Sequence, residues 1–145
     1  MAASHAMTAP RLPVIKVVGV SAAGKSTLVA ALRRAGYDAR PVSQEHANVP
    51  DLWNRFDLPT LLIYLDVSLE QQLIRRTDVS WTEDARVQEL ARLAHAREHA
   101  NLHINTSSLE ADRVLAIVLA WLEGKRVRRN DGPLPPVGPT GAPVK

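Results

Sequence analysis

A chain of 145 residues, 46% of them apolar and 23% charged, holds enough apolar mass for one core, so a single domain is expected. The absence of cysteine excludes a disulfide framework, a thiolate nucleophile and cysteine-ligated zinc, and points to the cytoplasm. The formal charge of +3 is concentrated near the end: residues 125–145 carry five Lys or Arg against Asp131 alone, which leaves the rest at −1 and argues against a dedicated nucleic-acid domain.

Residues 1–10 read as a tag-like or disordered N-terminus. The near-continuous apolar run 14–20 predicts a central parallel strand. Leu28, Val29, Ala31 and Leu32 then mark one face of a helix over 25–34, and Gly36 suits a left-handed C-cap. Residues 37–42 predict a second strand that lies at an edge or ends at Pro41, which lacks a backbone donor. The stretch 43–59 is polar and punctuated by proline, a connection with one helical turn around 51–56. A third strand is expected over 61–66 and a helix over 69–76, with a break at 77–81. Ser80 and Glu83 have capping-box spacing and introduce a longer helix through Val87, Leu90, Leu93 and Ala94. Residues 102–105 are expected to form a weak last strand, and Ser107 or Ser108 to cap a helix that carries the apolar residues from Val114 to Leu122 and ends at Gly124. The basic, proline-rich segment 125–145 has too few apolar residues to fold alone and is expected to be disordered.

Every apolar run is far shorter than the roughly 20 residues that cross a bilayer, so no membrane span is expected. Strands alternating with helices predict a three-layer α/β/α domain over 11–124 with a mainly parallel sheet of four or five strands. Ligands bind such sheets beyond the carboxyl ends of the strands, which directs attention to 19–27, 43–53, 66–76 and 105–108.

The first of these stretches is Gly19-Val20-Ser21-Ala22-Ala23-Gly24-Lys25-Ser26, the Gly-x-x-x-x-Gly-Lys-Ser spacing of a phosphate-binding loop, set between an apolar strand and an apolar-faced helix. Its glycines permit backbone angles that turn successive amides inward, and the following helix adds the positive end of its dipole. Lys25 supplies an ammonium to the β- and γ-phosphates, Ser26 a hydroxyl for magnesium, and Thr27 a hydroxyl for the α-phosphate.

With this loop, the segment Leu62 to Glu70 continuing to Arg75 and Arg76, and the segment His103 to Leu109, the chain resembles the P-loop kinases, notably the group of nucleoside monophosphate kinases, shikimate kinase and adenylylsulfate kinase. The resemblance implies ATP as donor, Mg²⁺, and in-line phosphoryl transfer to a small hydroxyl- or phosphate-bearing acceptor. It places Thr106 and Ser107 in the loop that walls the adenine. Arg75, Arg76, Arg86, Arg92 and Arg97 fall in or beside the lid-like segment, with Arg76 and Arg97 the preferred catalytic pair. No Asn-Lys-x-Asp sequence is present to read guanine, which favours adenine.

The acceptor region is short, with no Asp-bearing strand between Val42 and Thr60. Glu45, just after the second strand, is the first choice for completing the magnesium shell or accepting a proton; Asp66, closing an apolar strand, is its rival. Trp53 either stacks on an acceptor or fills the core. His95 and His99 share a helix face but lack a third metal ligand. The alternative function is a nucleotide-controlled binding module or NTPase switch without a small-molecule acceptor.

Overall fold

The computed structural model describes residues 11–76 and 81–137. Ser80, the break before Trp81, the N-terminal segment 1–10 and the end 138–145 lie outside them. The chain is an α/β protein in which β1 (Val14–Gly19), β2 (Asp38–Pro41), β3 (Leu61–Asp66) and β4 (Leu102–Asn105) form one parallel sheet in the order β2-β1-β3-β4. Every residue of β1 is buried, Lys16 included, as its near-continuous β-branched run requires of a strand covered on both faces. Among the described residues four helices accompany the sheet: α1 (Lys25–Arg34), α2 (Leu69–Arg75), α3 (Glu83–His99) and α4 (Ala111–Gly124). Helices α1 and α4 pack against each other, α1 packs on β1 and β2, and α3 packs against β1 and β3. No helix among the described residues is long and apolar enough to cross a membrane.

Pro41 sits in the edge strand, where its missing donor leaves no gap in the ladder. Helix α1 ends in a Schellman motif: Gly36, at φ 97°, donates to the Arg33 carbonyl and Tyr37 donates to the Leu32 carbonyl. Two predicted caps change. The hydroxyl of Thr82 accepts from the Ala85 amide at the start of α3. Helix α4 starts at Ala111 after Glu110, not at Ser107 or Ser108, because the Ser107 hydroxyl already accepts the Ser68 amide hydrogen at 2.8 Å.

The expectation of disorder from residue 125 is corrected as far as Val137. Asn130 donates to the Gly36 carbonyl and Leu134 to the Arg33 carbonyl, both at 2.8 Å, and Arg33 donates back to the Pro135 carbonyl. Val127 and Val137 pack against the core. Main-chain hydrogen bonds to the end of α1 supply what the segment lacks in apolar side chains, so hydrophobic content alone underestimates its order.

Arg33 also donates to Asp38, which Arg40 holds from its other side. Burial alone would push the Asp38 carboxyl up, but hydrogen bonds and charge from Arg40 and then Arg33 outweigh it and hold the group below its ordinary range. The folded state therefore binds this proton more weakly than the unfolded state. The stabilisation from Asp38 is complete above about pH 4 and is lost as pH falls through its folded value. Urea midpoints recorded between roughly pH 5 and pH 2 should fall less steeply in Asp38→Asn than in the parent chain.

Candidate functional site at the glycine loop

The loop between β1 and α1 is shaped by two glycines with different tasks. At Gly19 a Cβ would stand 2.2 Å from the Leu65 carbonyl oxygen, so glycine is required by the close approach of β1 and β3 and not by an unusual φ. Gly24 has φ 98°, nothing within 4 Å of a Cβ position, and is the N-cap of α1. Between them Ala22 also lies in the left-handed region, at φ 67°. The first turn of α1 has neither a side-chain cap nor an acidic residue, so its positive end faces the loop without an internal counter-charge from that turn.

Lys25 donates to the Gly19 carbonyl at 3.0 Å and forms a short ion pair with Oε2 of Glu45. Glu45 belongs to a 3₁₀ turn, Gln44–His46, that directly follows β2. Gln44 pins this turn: fully buried, it donates to the Val49 carbonyl at 2.7 Å and accepts from the Trp53 amide at 2.9 Å. The Glu45 side chain is 5% exposed, and its Oε1 is buried with no hydrogen-bond partner. An unpaired buried carboxylate oxygen is costly and marks a position shaped for a donor or a cation.

Two clefts meet at this loop. One, of about 580 Å³, is lined by Ala22, Ala23, Gly24, Thr27, Arg75 and the turn from Thr106 to Leu109. The other, of about 710 Å³, holds Ser21, Lys25, Ser26, Ser43 and Glu45, and shares Ala22, Gly24 and Arg75 with the first. Lys25, Ser26 and Glu45, predicted from different segments, thus line one cavity. Ser21, Ala22 and Gly24 join them there, while Ala23 and Thr27 face the first cleft with Ser107. Thr106 is 2% exposed, and its hydroxyl lies 3.1 Å from the carbonyls of Ala23 and Asp66, clasping the loop to β3.

Asp66 is not brought to Ser26. Its Oδ1 accepts the Val67 amide hydrogen at 2.8 Å and stands 3.9 Å from Arg86, and it lines a third cleft with Tyr64, Arg97 and His103. Burial pushes the Tyr64 phenol there up to about 12. The pairing of Arg76 with Arg97 is divided in the same way. Arg76 donates to the Ser21 hydroxyl at 2.9 Å and lies over the Trp81 ring at 4.3 Å. Arg97 lies eight residues beyond Glu89 along α3, about 12 Å of helix, and faces the third cleft. Arg75 takes the place beside the loop: it donates to the Ala22 carbonyl at 3.0 Å and to the Thr106 carbonyl at 2.6 Å.

Glu89 and Gln72, which stand outside the glycine-loop motif, also touch the loop. Glu89 is 1% exposed; its Oε1 accepts the Ser21 amide hydrogen at 2.9 Å and a Gln72 amide hydrogen at 3.0 Å, and its Oε2 has no partner. Gln72 also donates to the Ser21 carbonyl at 2.9 Å, and Arg86 donates to Oε1 of Gln72. The available signal was an acid on the buried stripe of α3, four residues before Leu93 and seven before Ala96.

Trp53 takes the core role. It is 6% exposed and donates from Nε1 to Nδ1 of His95 at 3.0 Å. His99 uses its own Nδ1 toward the His95 carbonyl, and no cluster of three or more His, Asp or Glu suited to a metal occurs among the described residues. No protein-family model matches the chain, and no curated protein matches it either.

Proposed function

We propose that this chain is an ATP- and magnesium-dependent phosphotransferase acting on a small acceptor. The observation that carries the reading is the meeting of two clefts at one glycine loop, with the Lys25–Glu45 ion pair beside the junction. A nucleotide with its base near the turn from Thr106 to Leu109 would direct its phosphates over the start of α1, where amides and the helix dipole favour anions. The second cleft would receive the acceptor.

Ser26 and Glu45 fit magnesium: a hydroxyl and a carboxylate line the same cavity, Oε2 of Glu45 would be freed for the ion when Lys25 turns to phosphate, and phosphates and water supply the remaining ligands of such sites. When bound, the ion neutralises charge on the transferred group. Lys25 exchanges its carboxylate partner for phosphate oxygens. Arg75 and Arg76, already anchored to the loop, would add positive charge beside it.

The network from α3 through Glu89 to the Ser21 amide favours a second reading, a nucleotide-controlled switch in which loop occupancy is transmitted to α3. Acceptor-dependent ADP release separates the enzyme from the switch. For the site itself, Glu45→Gln should weaken the magnesium-dependent part of ATP affinity by about tenfold or more, without lowering the affinity measured in EDTA. An unchanged magnesium dependence in calorimetric titrations would count against the assignment of Glu45.

A further inference from the structure

The second cleft carries information about what enters it. Its walls are Val29 and Ala30 of α1, Pro41 at the end of β2, and Pro136 and Val137 of the C-terminal segment. That segment is held in place by the main-chain bonds of Asn130 and Leu134 to the end of α1. The polar end of the cleft holds Glu45, whose buried Oε1 lacks a partner while Oε2 is taken by Lys25.

Only two cations line this cleft among the described residues, and both are engaged. Lys25 serves Gly19 and Glu45, and Arg75 is bound to Ala22 and Thr106. A phosphate-bearing acceptor would meet a buried carboxylate and apolar walls, with no additional cation to receive it. A hydroxyl, by contrast, supplies the donor that Oε1 lacks.

Resting on the phosphotransferase reading, we infer that the acceptor is an uncharged alcohol with an apolar body, bound between α1, Pro41 and the C-terminal segment at Pro136 and Val137, with its hydroxyl donating to Oε1 of Glu45. In the transfer, the alcohol oxygen bonds to the γ-phosphorus. The bond from that phosphorus to the β,γ-bridging oxygen breaks, its electron pair leaves with ADP, and the hydroxyl proton passes to Glu45. The C-terminal segment thereby replaces a separate acceptor-binding lobe as the wall of the site.

The test uses the full chain with benzyl alcohol, pyridoxine and uridine, each beside its phosphate monoester. Without nucleotide or metal, titration with at least one alcohol should move the ¹³C-methyl resonances of Val29 and Val137, and its monoester should not. With magnesium and ATP, the same alcohol should raise ADP release. Val137→Asp should increase the KM for that alcohol by about tenfold, a larger change than in the KM for ATP. Stimulation by monoesters instead, no methyl shift with any alcohol, or an unchanged alcohol KM in Val137→Asp overturns the acceptor assignment. Failure of the parent chain to bind MgATP overturns the nucleotide reading beneath it, which calorimetry distinguishes from these outcomes.

Discussion

Lys25→Ala should lower ATP affinity by about a hundredfold, the loss expected when a charge-assisted contact to phosphate is removed from a partly buried site. The same substitution should also cost stability, because the Glu45 carboxylate, 5% exposed, loses its counter-charge. The Lys25 side chain is itself 13% exposed, so water takes up some of the loss, and a decrease of about 1–3 kcal/mol is expected in urea unfolding. Adding Glu45→Gln to Lys25→Ala removes the stranded charge. Most of the stability should return while ATP binding stays lost, which separates the role of Lys25 toward the ligand from its role within the fold.

Gly19→Ala should have the largest effect on folding. The added Cβ meets the Leu65 carbonyl oxygen at 2.2 Å, with the Leu65 carbonyl carbon and Cβ both at 3.1 Å, all on a central strand that cannot swing aside as an exposed side chain would. Gly19 and Leu65 are paired in the sheet register, so relief of the clash must separate β1 from β3 where both are buried. A destabilisation of at least about 3 kcal/mol is expected, a large part of a typical domain's stability. Gly24→Ala provides the contrast: its Cβ meets nothing within 4 Å, and only the left-handed backbone at φ 98° opposes it, at about 1–2 kcal/mol. Denaturant midpoints should therefore rank parent, Gly24→Ala, then Gly19→Ala. Equal midpoints for the two variants would contradict the division of tasks between these glycines.

The parts of the fold legible in the sequence are those in which local pattern and tertiary setting agree. The apolar runs of β1 and β3, the apolar face of α1, the left-handed Gly36 and the edge position implied by Pro41 each express a constraint visible within a few residues. What local pattern missed depends on partners far along the chain. The Ser107 hydroxyl is taken by Ser68, so α4 begins later than its serines suggest. The segment 126–137 owes its order to Arg33 and Gly36, at and just beyond the end of α1 and about a hundred residues earlier.

The site follows the same division. The loop spacing is contiguous, and Glu45 was found because it directly follows a strand ending at the same edge of the sheet. Arg97 was chosen from its charge and position beside the lid-like segment, but the direction of α3 carries it to another cleft. Glu89 is one of several acids on that helix, and its charge alone does not distinguish it. Its placement in the buried stripe, beside Ser21, shows only when the register of α3 against the loop is known. Asp66 and Glu45 both end a strand-and-acid pattern; the partners of Asp66, Val67 and Arg86, turn it from Ser26 toward the third cleft.

Binding of ATP phosphates by the loop from Gly19 to Ser26 beside Glu45, as proposed above, can be followed by amide NMR of the full chain titrated with magnesium and a non-hydrolysable ATP analogue. The expected result is a set of saturable shifts, largest for the amides of Ser21 through Thr27 and accompanied by Glu45 and the turn at Thr106 and Ser107. Saturable shifts confined to the third cleft around Arg97 and His103, or no shifts at all, would contradict it.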